Sequence, residues 1–352
     1  MVVGVAWKSP GISIAKEGLG VAHNLEIRGG NASMFYVAKP PWHALGTRLA
    51  GPANAAAAIK AARLNWTVSK VPLFATKGGA SVRVRDTFGV VRDDLWGEED
   101  CPVLGIVGKG YTPLQNVDAF SFFDPIVDRK AAVYHTAGAL GNGERIWLLA
   151  KLPDQIVVVG DDVADKYLLL SNSHDGQSAV QVKFTPIRVV CQNTLNMALS
   201  DGPTIRVTHT ANVQQRLEQA HRLLGIVERG FANLANTFRA MCKLTLDASK
   251  LDEYLAEVFP VPKDPENEKA AKRTYEDRSR SRQLFESGRG NDLPGVRHTL
   301  WAAYNGVTEF IDHHKAIPAG ERAMEANCFG SGYQAKARAL RVASAKVKAW
   351  SN

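Results

Sequence analysis

Between Val213 and Met241 the apolar residues Val213, Leu217, Ala220, Leu224, Val227, Phe231, Leu234, Phe238 and Met241 follow one another at alternating spacings of four and three. An a/d pattern held this long keeps a single apolar seam along one side of a helix. Such a helix, about 45 Å long at 1.5 Å per residue, must lay its seam against other helices or a second subunit. More helices are expected downstream, over 249–259, 266–286, 294–314 and 332–348, with Pro260 and Pro262 stopping the first of them. Packing within the chain is therefore the first expectation, and a homo-oligomer through the 213–241 helix the alternative.

Upstream, from Trp66 to Val207, the period is two. Short β-branched and aromatic runs are separated by Gly, Asn, Asp and Pro. Val82 and Val84 alternate with Arg83 and Arg85, which puts two apolar side chains on one face of a strand and two guanidinium groups on the other. Gly141-Asn142-Gly143 and Asp175-Gly176 supply residues tolerant of positive φ between apolar runs, so two antiparallel hairpins are expected, 133–139 with 145–151 and 167–172 with 179–185. Val180, Val182 and Phe184 should face inward, with Gln181, Lys183 and Thr185 opposite, before Pro186 ends the strand. Short helices are expected over Pro52–Leu64 and Gln115–Asp128. The fold class is α+β: an antiparallel β-rich N-terminal half with short helices, then a helical C-terminal half. The expected organisation is a loosely ordered arm over 1–33, an α+β domain over 34–207 and a helical region over 208–352 packed on it. Ser287-Gly288-Arg289-Gly290-Asn291 reads as a flexible connection between helices.

Composition narrows the function classes. No apolar run reaches the length of a membrane span, and no leader pattern opens the chain, so a cytoplasmic protein with no membrane partner is expected. Four widely spaced cysteines, Cys101, Cys191, Cys242 and Cys328, form no CxxC pair and read as buried reduced thiols. Lys and Arg outnumber Asp and Glu by 43 to 35, a formal charge of +8 that steers polyanions toward the surface.

Signatures of cofactor chemistry are missing. There is no GxxxxGK[ST], the glycines of 105–110 are wrongly spaced for a dinucleotide turn, and neither HExxH nor Cys₂His₂ spacing occurs. His298, His313, His314 and Cys328 come nearest to a metal set, but adjacent helical histidines project about 100° apart. No cofactor and no metal are therefore expected. His174-Asp175, beside Ser171 and Ser173, resembles an acid–base pair, although Asp-Gly at a hairpin tip accounts for two of the three letters His-Asp-Gly. Arg83, Arg85, Lys183, Arg188 and Arg206 would make a phosphate-holding face if their strands share a sheet. Trp42, Trp66, Tyr111 and Tyr134 could stack on bases or fill a core.

Two longer strings, Tyr167-Leu168-Leu169-Leu170-Ser171-Asn172-Ser173-His174-Asp175-Gly176 and Phe184-Thr185-Pro186-Ile187-Arg188-Val189-Val190-Cys191-Gln192-Asn193-Thr194-Leu195, carry a family resemblance. Trp42-His43-Ala44-Leu45-Gly46, Gly110-Tyr111-Thr112-Pro113-Leu114-Gln115-Asn116, Ala137-Gly138-Ala139-Leu140 and Tyr304-Asn305-Gly306-Val307-Thr308-Glu309 follow in the family's order. From about Phe35 to near its C-terminus the chain resembles the phage/plasmid-like protein family, domain-of-unknown-function family 932. Its motif residues here are Trp42, His43, Gly46, Tyr111, Gln115, Asn116, Gly138, Gly176, Cys191, Asn193 and Thr194. The resemblance implies a gene carried on a phage or plasmid and a product in the bacterial cytoplasm, with no settled activity or cofactor.

Three functional expectations follow. The first is a nucleic-acid-binding protein of a mobile element that handles single-stranded DNA in replication or recombination, with Arg83, Arg85, Lys183, Arg188 and Arg206 holding phosphates. The alternative is a hydrolase using His174 and Asp175, with Arg188 and Asn193 binding an anionic substrate. The last is a protein-interaction module built on the helical half.

Overall fold

A computed structural model describes residues 25–37, 45–99, 101–121, 124, 127, 132–177, 181–188, 205–206, 213–262, 267–315 and 330–350. Among the described residues twelve strands form a two-stranded hairpin, a seven-stranded sheet and a three-stranded sheet. The hairpin pairs β1 (Ile27–Arg28) with β2 (Asn31–Ala32). The large sheet has the order β12-β11-β10-β9-β8-β3-β4. Its members are β3 (Met34–Val37), β4 (Thr47–Leu49), β8 (Val133–Leu140), β9 (Arg145–Val159), β10 (Asp162–Ser173), β11 (Gln181–Arg188) and β12 (Ile205–Arg206). All its neighbours run antiparallel except β3 and β4. The small sheet has the order β5-β6-β7, from β5 (Val68–Lys77), β6 (Ala80–Arg92) and β7 (Val103–Gly108).

Both expected hairpins form, β8 with β9 and β10 with β11. Gly141 and Gly143 sit at φ +69° and +107°, and Gly176 at +75°, where a Cβ would be strained. A third turn, at Gly160 with φ +50°, joins the long strands β9 and β10. Pro186 does not end its strand. It lies inside β11 opposite Lys166, where among the described residues β11 has β10 as its one neighbour, because β12 pairs with Gln181 and Val182. Such an edge tolerates the missing N–H.

The helices are α1 (Ala55–Ala61), α2 (Asn116–Ser121), α3 (Val213–Cys242), α4 (Ala248–Val258), α5 (Glu268–Ser287), α6 (Leu300–Glu309) and α7 (Ser331–Trp350). Asn54, Asp247, Asn267 and Thr299 cap the starts of α1, α4, α5 and α6, each side chain accepting a backbone N–H. The helix expected over 294–314 begins only at Leu300, because His298 takes φ +59° before the Thr299 cap; it ends in a π-turn over Phe310–His314. His298 is thus off the helix that was to carry His313 and His314. Every residue of α6 is buried, which makes it the central helix of the C-terminal half.

One continuous apolar cluster joins both sheets and the helices. It includes Ile146, Leu148, Leu168 and Leu170 from the large sheet, Val68, Val90 and Leu104 from the small one, and Phe238, Trp301 and Tyr304 from the helices. The described end of the heptad seam, Phe231, Leu234, Phe238 and Met241, is spent inside the chain, with Phe238 and Trp301 rings 4.4 Å apart. That end of the helix offers no seam to a second subunit.

Residues 25–33 are not a loose arm. Leu25 bridges to Leu140 and is buried, and Glu26 is buried beside Arg92; residues 1–24 lie outside the described ones. Cys101 and Cys242 are half-buried rather than core, and burial pushes the Cys242 thiol up to about 12. Cys191 and Cys328 lie outside the described residues. No described helix is long and apolar enough to cross a membrane.

Gly306 is where α6 meets α5. A Cβ there would lie 2.9 Å from Phe285 N and 3.0 Å from Ser281 O, both backbone atoms that cannot swing aside. Gly306→Ala is expected to lose about 1–3 kcal/mol of stability by overpacking. Gly108→Ala, where a Cβ meets nothing within 4 Å, should stay within about 0.5 kcal/mol. Urea denaturation of the two variants checks this, and equal midpoints would contradict the close approach.

Candidate functional site

The basic residues expected to share a face fall on two sheets: Arg83 and Arg85 on β6, Lys183 and Arg188 on β11, and Arg206 on β12. Arg188 is entirely buried and cannot hold a phosphate. Its Nε and Nη2 donate to the two carboxylate oxygens of Asp162 at 2.8 and 2.7 Å. The remaining donors reach Gly290 O at 2.8 Å, Arg289 O at 3.1 Å and Asn291 Oδ1 at 3.2 Å. All five guanidinium hydrogens are thereby used. Asp162 also accepts from Trp301 Nε1 at 2.7 Å, and Asn291 Nδ2 donates to Leu284 O and Ala302 O at 2.9 and 3.0 Å. This network pins the sheet to the helical half. It also corrects the reading of 287–291 as a flexible connection, since Asn291 is buried and Arg289 N donates to the buried Glu309 carboxylate. Lys183 is half-buried with its ammonium 4.2 Å from the Tyr333 ring, and the side chain of Arg206 lies outside the described ones.

His174 and Asp175 come together with the family strings, but as structure. The Tyr111–Asn116 and Asn172–Gly176 strings meet through three bonds. Tyr111 Oη donates to Ser173 O at 3.1 Å, Asn172 Nδ2 donates to Leu114 O at 3.1 Å, and His174 Nε2 lies 3.0 Å from Asn116 Oδ1. Asn116 spends both amide hydrogens on Leu64 O and Trp66 O. Its Oδ1 therefore accepts, which assigns the proton of the neutral His174 ring to Nε2. Gln115 meanwhile mimics a strand, donating to Val68 O at 2.9 Å and accepting from Val68 N at 3.0 Å. The His174 ring lies against Trp66, which in turn lies 4.1 Å from the guanidinium of the buried Arg92.

Burial, opposed by Asp175 and reinforced by Arg92, pushes the His174 pKa down to about 4. Asp175 accepts from Gln177 N at 2.8 Å and from its neighbour Ser173, closing its own turn rather than orienting the imidazole. A Cβ on Gly105 would lie 2.4 Å from Asp175 Cα, and one on Gly176 would lie 2.6 Å from Val107 Cγ1, so the hairpin tip is seated on β7. A buried imidazole bonded to an amide, with its neighbouring carboxylate turned away, lacks the access a general base needs. Trp66 and Tyr134 are core residues likewise. Gly46 and Gly138 let β4 and β8 approach β3, their Cβ positions lying 2.9 Å from Met34 O and 2.8 Å from Ser33 O. Trp42, His43, Cys191, Asn193 and Thr194 lie outside the described residues. Among the described residues no group of three or more His, Cys, Asp or Glu could hold a metal.

Of the expected basic residues, Arg83 and Arg85 are exposed, and both lie on a ribbon. The distal halves of β5 and β6 project beyond the third strand, turning at Gly78 and Gly79 with φ +58° and +82°. Phe74 is 60% and Val82 66% exposed, and Lys77, Arg83 and Arg85 are exposed too. Phe74 and Lys77 are not among the residues expected from the sequence, although Gly78-Gly79 between β-favouring runs signals the hairpin that exposes them.

The family described as Domain of unknown function (DUF932) matches residues 103–345, the greater part of the chain. The chain belongs to that family. The DUF932 match begins at β7, so the ribbon and the Trp42–Gly46 string precede it, whereas the Arg188 network and the His174 cluster's family strings fall inside it. Over 63 residues the chain is 44% identical to UPF0380 protein YfjQ of Escherichia coli (strain K12), which covers 18% of this chain and 23% of that protein. The chain thus aligns with under a quarter of that relative's length. No solved structure matches.

Two measurements check the structural roles of this DUF932 protein. Asp162→Asn leaves a buried guanidinium without its counter-charge and is expected to lose about 3–5 kcal/mol in urea denaturation. Arg188→Lys keeps the charge but has three donors for five acceptor positions, so it too should be strongly destabilised. For His174, the depressed folded pKa of about 4 against 6.5 means the unfolded chain binds the proton first. Stability from the neutral ring is complete above pH 6.5 and is lost as pH falls toward 4, by about 3 kcal/mol in all. His174→Gln should remove this component from the stability–pH curve; parallel curves for the two proteins would contradict it.

Proposed function

We propose that this is a nucleic-acid-binding protein, serving replication, recombination or maintenance of a phage or plasmid, and that it engages its ligand through the β5–β6 ribbon. One observation carries the reading. From Leu73 to Arg85 the exposed ribbon holds Lys77, Arg83 and Arg85 and no Asp or Glu, with Asp86 beginning the return to the body. Arg85 is 95% exposed and its nearest carboxylate, Asp86, stands 3.6 Å away at the surface, where ion pairing is weak and easily exchanged for a phosphate. The net charge of +8 adds a long-range field of the same sign. A two-stranded ribbon isolated from the sheet is marginal in stability, so exposed apolar and cationic side chains on one are better suited to contact than to folding.

The ribbon reading replaces the five-residue face with a smaller set, Lys77, Arg83 and Arg85. It favours binding over hydrolysis, since the histidine that motivated an enzyme is committed to Asn116.

The test is fluorescence anisotropy of a labelled oligonucleotide over a salt series. Log K should fall linearly with log salt, and the Lys77→Ala/Arg83→Ala/Arg85→Ala variant should reduce the slope by about 2, at ~0.7 per lost phosphate contact on a single strand. Binding absent at low salt, or a slope that the triple variant leaves unchanged, would sink the ribbon as the site.

A further inference from the structure

Resting on the nucleic-acid reading, we propose that the ribbon selects single strands over duplexes and that Phe74 is the platform on which an unpaired base stacks. The pairing register supplies the first argument. Phe74 pairs with Arg83, Ala75 with Val82, Thr76 with Ser81 and Lys77 with Ala80. Directly opposed residues share a face and successive pairs alternate. One face therefore carries Phe74, Arg83, Thr76 and Ser81, with Arg85 two positions beyond Arg83. The other carries Ala75, Ala80, Val82 and Val84, with Lys77 beside the turn.

This division separates two modes of binding. A ribbon inside a duplex groove stands between two phosphate walls and needs polar or cationic groups toward both. Here the face opposite Phe74 is aliphatic but for Lys77, which sits at the turn next to Gly78, and Val82 is 66% exposed. A single strand instead lies along one surface, giving phosphates to cations and bases to aromatic rings. The Phe74 face has both kinds of group side by side, an aromatic ring directly across from a guanidinium. Arg83 and Arg85 are about 7 Å apart along the strand, two residues at ~3.3 Å each, which suits successive phosphates of an extended chain.

The exposure of Phe74 is the second argument. At 60% it takes no part in either apolar cluster, so packing does not account for it. Base stacking tolerates any sequence, because every base has a π-face. The ligand class is accordingly a single strand of DNA or RNA without strict sequence preference.

The full-length protein would be titrated into labelled oligothymidylate, oligouridylate and a DNA duplex, with wild type, Phe74→Ala, Phe74→Tyr and the triple cation variant. Wild type should bind at least one of the two single strands about tenfold more tightly than the duplex. Phe74→Ala should weaken single-strand binding by about tenfold or more while leaving the salt slope and duplex affinity unchanged, and Phe74→Tyr should restore it. An unchanged urea midpoint for Phe74→Ala certifies the fold. Equal affinity for strands and duplex, or wild-type single-strand affinity in Phe74→Ala, overturns the proposal while salt-dependent binding that needs the cations keeps the broader reading. Absence of salt-dependent binding to all three ligands overturns both.

Discussion

The architecture hangs on the buried pair Arg188–Asp162. β10 provides the carboxylate and β11 the guanidinium, and the pair faces backbone carbonyls of the segment between α5 and α6 together with the indole of Trp301. A fully buried ion pair is tolerable only when every donor and acceptor is satisfied, because each lost hydrogen bond leaves a charge in a low-dielectric interior. Satisfying five guanidinium hydrogens requires the sheet, the 288–291 segment and α6 to be placed together. The pair is thus a registration device: the two halves cannot slide relative to one another without breaking it.

A neutral cluster does the equivalent work at the opposite boundary, between the two sheets. The tip of the β10–β11 hairpin seats on β7 through Gly105 and Gly176, and His174 reaches behind it to Asn116. Residues with catalytic side chains are thereby absorbed into packing. The imidazole gains a fixed tautomer and loses its access to solvent, and Asp175 is occupied by its own turn. His174 and Asp175 are adjacent in the chain just past the end of β10, yet one bonds to Asn116 and the other closes its own turn.

With both boundaries locked, the far end of the ribbon is an element that the core does not explain. Its base belongs to the three-stranded sheet, and its far end carries charge and an aromatic ring in solvent. The same sheet supplies the rigidity that a recognition element needs, since a free hairpin would lose entropy on binding. The ribbon lies ahead of the span matched by the family model, which begins at β7.

Much of the scaffold was legible from local rules. The change of period near residue 210, the Gly-containing turns and the helix-stopping prolines are short-range steric facts, and they gave the α+β class, two hairpins and most helices to within a few residues. Alternation also placed Arg83 and Arg85 opposite Val82 and Val84, as the strand requires. What no local rule contains is which surfaces meet. Arg188 in the sequence is a cation just past a proline; only its juxtaposition with Asp162, Asn291 and Trp301, residues up to 139 positions apart along the chain in this network, makes it a buried structural group. Pro186 could be read as a terminator until strand order showed an edge. Secondary structure follows from each residue's own stereochemistry. Burial, protonation and exposure are properties of the partners that folding brings, and those were decided in three dimensions.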